Sequence, residues 1–330
     1  MNKPFLLKPS GKDYLWGGRR LNDEFAKNID MSPLAETWEC STHPDGPSTV
    51  GSGEFAGKLL ADVLKMHPEY LGSHVYRYEG AREGELPILI KFIDANADLS
   101  VQVHPSDDYA KEHEDGQLGK TEVWYVLDAA GDANLVYGLR QSVEKDKLRQ
   151  AIENGSVEKY LQKIPVNKDD VFFVEAGTIH AIGAGALVAE IQENSNLTYR
   201  MYDYDRVDKN GQKRPLHIDK ALDVANLERT PEPRQQLRVL RYEPGCAREL
   251  LCRCKYFEVH RLLINTERRN NVTFKADSLS FRVLLCINGC GTLQFENEIL
   301  NIYKGDCIFV PADSVDITIH GNIQFLDVRG

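Results

Sequence analysis

Two segments of this chain, 136 residues apart, share one residue pattern. In Lys168–Ala176 and in Lys304–Ala312, a lysine and a turn-forming pair precede four mostly apolar residues. Short apolar runs that follow turn residues are typical of β-strands. A strand pattern that recurs in both halves of a chain predicts two related β domains.

Further strand-like runs lie between these segments and the start of the chain. Leu99–His104 alternates apolar and polar residues, while Pro87–Ile93 and Glu122–Leu127 are largely apolar. These patterns are typical of strands in a buried or half-buried sheet. We therefore predict a mainly β protein.

Helical periodicity is limited to three stretches. Ser142–Gln162 has apolar residues at helical spacing and predicts a helical insertion at about 140–165, and Ala61–Tyr70 and Ile218–Ala225 predict short helices. Glu228–Gln236 is polar, contains proline and is typical of a linker. We predict a first domain at 1–230 and a second β domain at 231–330.

Composition narrows the classes of partner. The 330 residues include 40 Lys plus Arg against 50 Asp plus Glu, a net charge of −10 that argues against nucleic-acid or anionic-membrane binding. No apolar run approaches the roughly 20 residues of a membrane helix, and the first residues do not form a secretory signal. Seven scattered cysteines are typical of reduced thiols. We expect a cytoplasmic monomer or weak homodimer.

Four side chains with lone pairs lie within or at the end of the strand-like runs: Gln102, His104, Glu122 and His180. Gln102 and His104 are two residues apart, so on a strand they share a face. A single histidine at a strand end is more often a hydrogen-bonded core residue than a ligand. Together, however, the four would supply two nitrogens and two oxygens to one metal ion.

The segment 169–183 resembles the second sequence motif of the cupin β-barrel family. In that motif a turn glycine, here Gly177, is followed three residues later by a metal-binding histidine, here His180. The resemblance implies two cupin-like β-barrel (jelly-roll) domains with a small helical insertion. The repeat places Asp316 at the position of His180 and Arg282 at that of Glu122, so the second domain is predicted to lack a metal.

A larger set of segments resembles the type I mannose-6-phosphate isomerases in their short bacterial form. The matching segments are Ala35–Trp38, Thr42–Ser48, Lys91, Leu99–Pro105, Lys120–Glu122, Gly177–His180 and Glu190–Arg200. The resemblance implies one zinc ion per chain, held by Gln102, His104, Glu122 and His180. It also implies that Glu190 and Arg200 are active-site residues. Longer members have a histidine where this chain has Gly119.

The resemblance implies an aldose–ketose isomerase that interconverts mannose 6-phosphate and fructose 6-phosphate through a cis-enediolate. Glu190 and Lys120 are both candidates for the proton carrier, and the sequence does not choose between them. Lys91, Lys120 and Arg200 are candidate phosphate-binding residues, because an anionic substrate needs positive charge in a chain that is acidic overall. The expected partner is therefore a small phosphosugar.

Two other classes of function fit the same residues. A cupin dioxygenase would hold Fe(II) in the same barrel, although an amide ligand beside several Lys and Arg residues favours a phosphosugar. A non-catalytic sugar-phosphate-binding cupin is the other alternative, and only the full ligand set together with Glu190 and Arg200 argues against it.

Overall fold

The computed structural model describes residues 2–75, 84–208, 210–233, 238–268 and 271–330. The last three residues of the predicted linker, 234–236, lie outside the described residues. In the rest of the chain, strands far outnumber helices, so the prediction of a mainly β protein is confirmed.

The strands of the described residues are β1 Phe5–Lys8, β2 Ser10–Lys12, β3 Glu36–Cys40, β4 Thr49–Val50, β5 Ile88–Asp94, β6 Val101–Val103, β7 Glu122–Ala129, β8 Asn134–Leu139, β9 Leu161–Pro165, β10 Val171–Val174, β11 His180–Ile182, β12 Ala186–Glu193, β13 Tyr199–Tyr202, β14 Leu240–Glu243, β15 Cys246–Arg253, β16 Glu258–Asn265, β17 Val272–Phe274, β18 Arg282–Phe295, β19 Glu298–Tyr303, β20 Cys307–Val310 and β21 Ile317–Arg329. The α-helices of the same residues are α1 Arg20–Asp23, α2 Leu60–Met66, α3 Asp107–His113, α4 Lys145–Glu153 and α5 Ile218–Val224.

Within the described part of the chain these strands form three sheets, of ten, six and five strands. The six-stranded sheet has the order β10-β7-β12-β5-β3-β2, and the five-stranded sheet has the order β13-β6-β11-β8-β9. The ten-stranded sheet follows the path β14-β15-β16-β21-β18-β20-β1-β4, with β17 and β19 paired to β21 and β18.

The six-stranded sheet lies between the other two. Trp124 and Val126 on one face share a hydrophobic cluster with Leu135 of the five-stranded sheet. Val123 and Tyr125 on the opposite face share a cluster with residues of the ten-stranded sheet. Because both faces are covered, all seven residues of β5 are buried, and five of them are apolar.

The sequence repeat corresponds to a structural repeat. In both copies a left-handed residue, Asp169 at φ 72° or Gly305 at φ 101°, precedes the strand β10 or β20. Strand β10 pairs with β7 so that Val174 lies opposite Glu122, and β20 pairs with β18 so that Val310 lies opposite Arg282. Arg282 therefore occupies in the ten-stranded sheet the place that Glu122 has in the six-stranded sheet.

The predicted helices are present with changed bounds. Helix α5 matches its prediction, whereas α2 is followed by a separate 3₁₀ turn at Pro68–Leu71. The insertion contains α4 and a 3₁₀ turn at Val157–Lys159, but its end was predicted wrongly, because Leu161 begins strand β9 and pairs with Leu139. Pairing with β8 outweighs the helical spacing of that leucine.

The first strand of the chain belongs to the sheet formed mainly by the last hundred residues. In β1, Phe5 lies opposite Phe309 and Leu7 opposite Cys307. Both Phe5 and Leu7 are buried. The sheet that contains most of residues 238–330 therefore also includes residues from the start of the chain.

None of the helices in the described residues is long and apolar enough to cross a membrane. All seven cysteines, each of which lies in the described residues, are free thiols.

Candidate metal centre and active-site cavity

The four predicted ligands come from the six-stranded and five-stranded sheets, which pack against each other. Glu122 begins β7 of the six-stranded sheet, and His180 begins β11 of the five-stranded sheet. Gln102 in β6 lies directly opposite His180, and His104 follows one residue after β6 ends. Because residues two apart share a face, Gln102 and His104 both point toward Glu122.

The ligand atoms of His104, Glu122 and His180 all lie within 4.8 Å of one another. The Nε2 atoms of His104 and His180 are 3.7 and 3.4 Å from Glu122 oxygens, and the Gln102 amide is 3.3 Å from His180 Nε2. The three side chains are at most 1% exposed. The structure thus brings together the ligand set that the sequence predicts.

The two histidines are held in the state that metal ligation requires. Leu197 O lies 2.7 Å from Nδ1 of His104, and Thr178 O lies 2.8 Å from Nδ1 of His180. A carbonyl oxygen can only accept a hydrogen bond, so each Nδ1 carries the hydrogen and donates it, and each Nε2 keeps its lone pair. Burial lowers the pKa of both side chains, that of His180 to about 4, so both are neutral at pH 7.

Glu122 also fits a cation. Its side chain is fully buried, and Oε1 has no hydrogen-bond partner among the described residues. Burial, followed by the nearby charge of Glu190, raises the pKa of Glu122 to about 7 against the opposing effect of Lys120. A buried carboxylate without full pairing is costly, and a divalent cation would supply the missing charge. The nitrogen and oxygen donors present are those that zinc accepts.

A cavity of about 280 Å³ opens on this cluster. Its polar lining includes Lys91, Gln102, Lys120, Glu190, Arg200 and Arg214, and its apolar lining includes Trp16, Leu99 and Ile182. All eight residues predicted for metal binding, proton transfer or phosphate binding thus line the cavity or lie in the ligand cluster beside it. His104 Nε2 lies 3.2 Å from Lys120 Nζ.

Glu190 is surrounded by proton donors. Lys91 Nζ lies 3.1 Å from Oε1, the indole nitrogen of Trp124 donates to Oε2 at 2.9 Å, and Lys120 Nζ lies 3.7 Å from Oε1. Burial would raise the pKa of Glu190, but the charges of Lys120 and Lys91 and the hydrogen bond from Trp124 outweigh it and lower the pKa. Glu190 is therefore a carboxylate that faces the cavity.

The two buried lysines both have carboxylate partners. Lys120 Nζ lies 2.6 Å from Glu122 Oε2, and Lys91 is within 4.0 Å of Glu36 as well as bonded to Glu190. Lys91 is only 5% exposed, so its charge is balanced by these carboxylates and not by solvent.

Arg200 lines the cavity from β13, where it lies opposite Gln102 of β6. It donates to Ser100 Oγ at 3.3 Å and to Pro215 O at 3.0 Å. The nearby carboxylate of Asp203 accepts hydrogen bonds from Arg206 and Arg214 and not from Arg200. Sequence reasoning missed Arg214, which lies in a loop between β13 and α5 where no periodic pattern marks it.

Comparisons with known proteins find similar proteins over nearly the whole chain. A family model described as the catalytic domain of type I phosphomannose isomerase matches residues 5–135, and one described as the cupin domain of mannose-6-phosphate isomerase matches residues 248–329. The Bacillus subtilis protein YvyI is 37% identical over 98% of both chains. ManA of the same bacterium, a mannose-6-phosphate isomerase, is 35% identical over 97% of this chain and 96% of its own. A crystal structure of a Bacillus subtilis mannose 6-phosphate isomerase superposes with a TM-score of 0.87, at 36% identity and 99% coverage of both chains.

Proposed function

This chain belongs to the mannose-6-phosphate isomerase family, and we propose that it interconverts mannose 6-phosphate and fructose 6-phosphate. The observation that carries the proposal is the buried cluster of His104, Glu122 and His180 at a cavity that also contains Glu190 and Arg200. An aldose–ketose isomerase needs a group that moves a proton between two carbons and positive charge that stabilises the enediolate oxygens. The cavity contains both.

We propose that one Zn²⁺ ion per chain is held by His104, Glu122, His180 and Gln102. Bound there, it would supply a Lewis acid to polarise the oxygens on C1 and C2 of the sugar. The amide of Gln102 contributes no charge. A rotation of ~180° about its last side-chain bond exchanges the positions of its oxygen and nitrogen and directs the oxygen at the cluster.

We assign the proton transfer between C1 and C2 to Glu190. It lines the cavity and its lowered pKa keeps it ionised, so it can accept a proton. Lys120 lies between Glu122 and Glu190, where its ammonium is placed to stabilise negative charge on the sugar oxygens. Lys91 holds Glu190 in position through a hydrogen bond to Oε1, the oxygen that Lys120 also approaches.

The phosphate is proposed to bind at Arg200. The guanidinium is half-buried, and within the described residues it bonds a hydroxyl and a carbonyl but no carboxylate, so its charge is available to an anion. Lys91 and Lys120 remain predicted phosphate contacts, but their carboxylate partners favour a role nearer the reacting carbons.

The division into two cupin-like barrels, 1–230 and 231–330, is also part of this proposal. It is supported by the repeated strand pairs β7–β10 and β18–β20. The first barrel would contain the site. In the second, Arg282 replaces the glutamate and bonds to Asp327, so that barrel would have a structural role.

The test is a coupled assay for fructose 6-phosphate formation from mannose 6-phosphate. It compares zinc-loaded protein, chelated protein and the variants His104→Ala and Glu190→Gln, with bound zinc measured for each. We expect turnover only in the zinc-loaded wild type, zinc loss in His104→Ala, and bound zinc without turnover in Glu190→Gln. His260→Ala, in β16 of the ten-stranded sheet, is the matched control and should keep both zinc and turnover.

Two results would contradict the proposal. Zinc-loaded wild type without turnover would favour a non-catalytic sugar-phosphate-binding protein. Turnover that survives complete removal of zinc would contradict the metal site.

A further inference from the structure

A second arginine faces the cavity beside Arg200. Arg214 is among the lining residues, and burial followed by the positive charge of Arg214 lowers the pKa of Arg200. Two like charges at one end of a cavity repel each other, so their proximity has an energetic cost in the empty protein. A bound anion would remove that cost.

Arg214 is fixed in its orientation by a buried carboxylate. Its Nε and Nη2 donate to the two oxygens of Asp203, at 2.8 and 2.6 Å, in the side-on geometry that holds a guanidinium plane rigid. Asp203 is 6% exposed, and the second donor group on it is Arg206. Because Nε and Nη2 are engaged, Nη1 of Arg214 is the group without a partner among the described residues.

The surroundings of the lysines and the arginines of the cavity differ in charge. Lys91 and Lys120, beside the ligand cluster, face the three carboxylates of Glu36, Glu122 and Glu190. Arg200 has no carboxylate among its hydrogen-bond partners in the described residues, and Arg214 shares the carboxylate of Asp203 with Arg206. Excess positive charge therefore lies at the arginines, where a phosphate dianion would be stabilised most.

We propose that Arg214 binds the substrate phosphate together with Arg200, and that Asp203 is a positioning residue that aims Arg214 at it. The proposal rests on the proposed function, because the anion is taken to be the phosphate of the sugar. Two oriented guanidiniums make the cavity selective for a phosphorylated over an unphosphorylated sugar, since a neutral sugar would leave both charges unpaired.

The test compares Arg214→Met, Arg214→Lys and Arg206→Met in the zinc-loaded protein. A lost hydrogen bond between charged groups is equivalent to about a 10- to 100-fold change in affinity. We expect Arg214→Met to raise KM for mannose 6-phosphate by that factor while kcat changes less than about threefold. Arg214→Lys, which keeps the charge but loses the planar fork, should lie between this variant and the wild type. Arg206→Met, which shares Asp203 but does not line the cavity, should leave KM within about threefold.

A calorimetric titration with inorganic phosphate supplies a readout that needs no turnover. Weaker phosphate binding in Arg214→Met but not in Arg206→Met supports the site even if the wild type proves not to be an isomerase. Unchanged phosphate affinity and KM in Arg214→Met would overturn the proposal. Equal losses in Arg214→Met and Arg206→Met would also overturn it, because they would show a structural role for the whole cluster.

Discussion

Zinc should stabilise the folded protein through Glu122 in particular. In the folded chain His104, Glu122 and His180 are held together and buried, whereas the unfolded chain has no such site. A ligand that binds only the folded state stabilises it by about 2.7 kcal/mol when its concentration is 100 times Kd. The same mass action makes the effect increase with free zinc.

The expected change in melting temperature follows from the length of the chain. At about 2.1 cal/mol/K per residue, unfolding of 330 residues has an entropy of about 0.7 kcal/mol/K. A stabilisation of about 2.7 kcal/mol therefore raises Tm by about 4 °C. Chelation of the zinc-loaded protein should lower Tm by the same amount.

The assay is thermal unfolding at several zinc concentrations for the wild type and two variants. Glu122→Gln removes the anionic ligand and should abolish the zinc-dependent shift. Glu36→Gln changes another buried glutamate of the same cavity, one outside the ligand cluster, and should keep the shift. All three proteins have the same seven thiols, so zinc binding to unfolded cysteines affects them equally. An equal shift in Glu122→Gln and wild type would refute the assignment of the metal site.

Three further results are expected. Trp124→Phe keeps an aromatic ring but loses the indole N–H that donates to Glu190, so kcat/KM should fall about 10- to 100-fold. Zinc affinity, measured by competition with a chelator, should change little. Arg282→Met should lower the free energy of unfolding in urea by about 3–5 kcal/mol, because Asp327, which is 1% exposed, loses its bidentate partner. The double variant Arg282→Met with Asp327→Leu should recover most of that loss. Burial would raise the pKa of Asp203, but hydrogen bonds from Arg214 and Arg206 outweigh it and lower the pKa below 3.8. The ionised Asp203 therefore stabilises the folded protein above pH 3.8, and this contribution is lost as the pH falls through the lower folded-state pKa. Asp203→Asn should flatten the decline in the free energy of unfolding measured below about pH 4.

Local pattern was enough to predict the ligand strands. Alternation placed Gln102 and His104 on one face, and the apolar run after Glu122 is a strand in the structure. The repeat also predicted that Arg282 replaces Glu122, which the pairing of Val174 and Val310 reproduces. These predictions depend on side-chain parity along one strand, which short stretches of sequence determine.

Other features depend on contacts that no local pattern encodes. The position of Arg214 is set by Asp203, and the charge state of Glu190 is set by Lys91 of β5 and by Lys120, which precedes β7. Leu161 fits helical spacing equally well and is placed in a strand only by its pairing with β8. Such features require the tertiary arrangement, because side chains far apart in the chain determine them.

The pairing of β1 with β20 has a consequence for how the protein is made. A ribosome adds about 5–20 residues per second, so Phe5–Lys8 precedes its partner Cys307–Phe309 by roughly 15 to 60 s. Throughout that interval the nascent chain has an apolar strand with an open edge, which is a surface on which unfinished chains pair with each other. Release of Cys307–Phe309 from the ribosome is therefore the event that protects Phe5–Leu7, and a chain stopped before Cys307 would be prone to aggregate through β1.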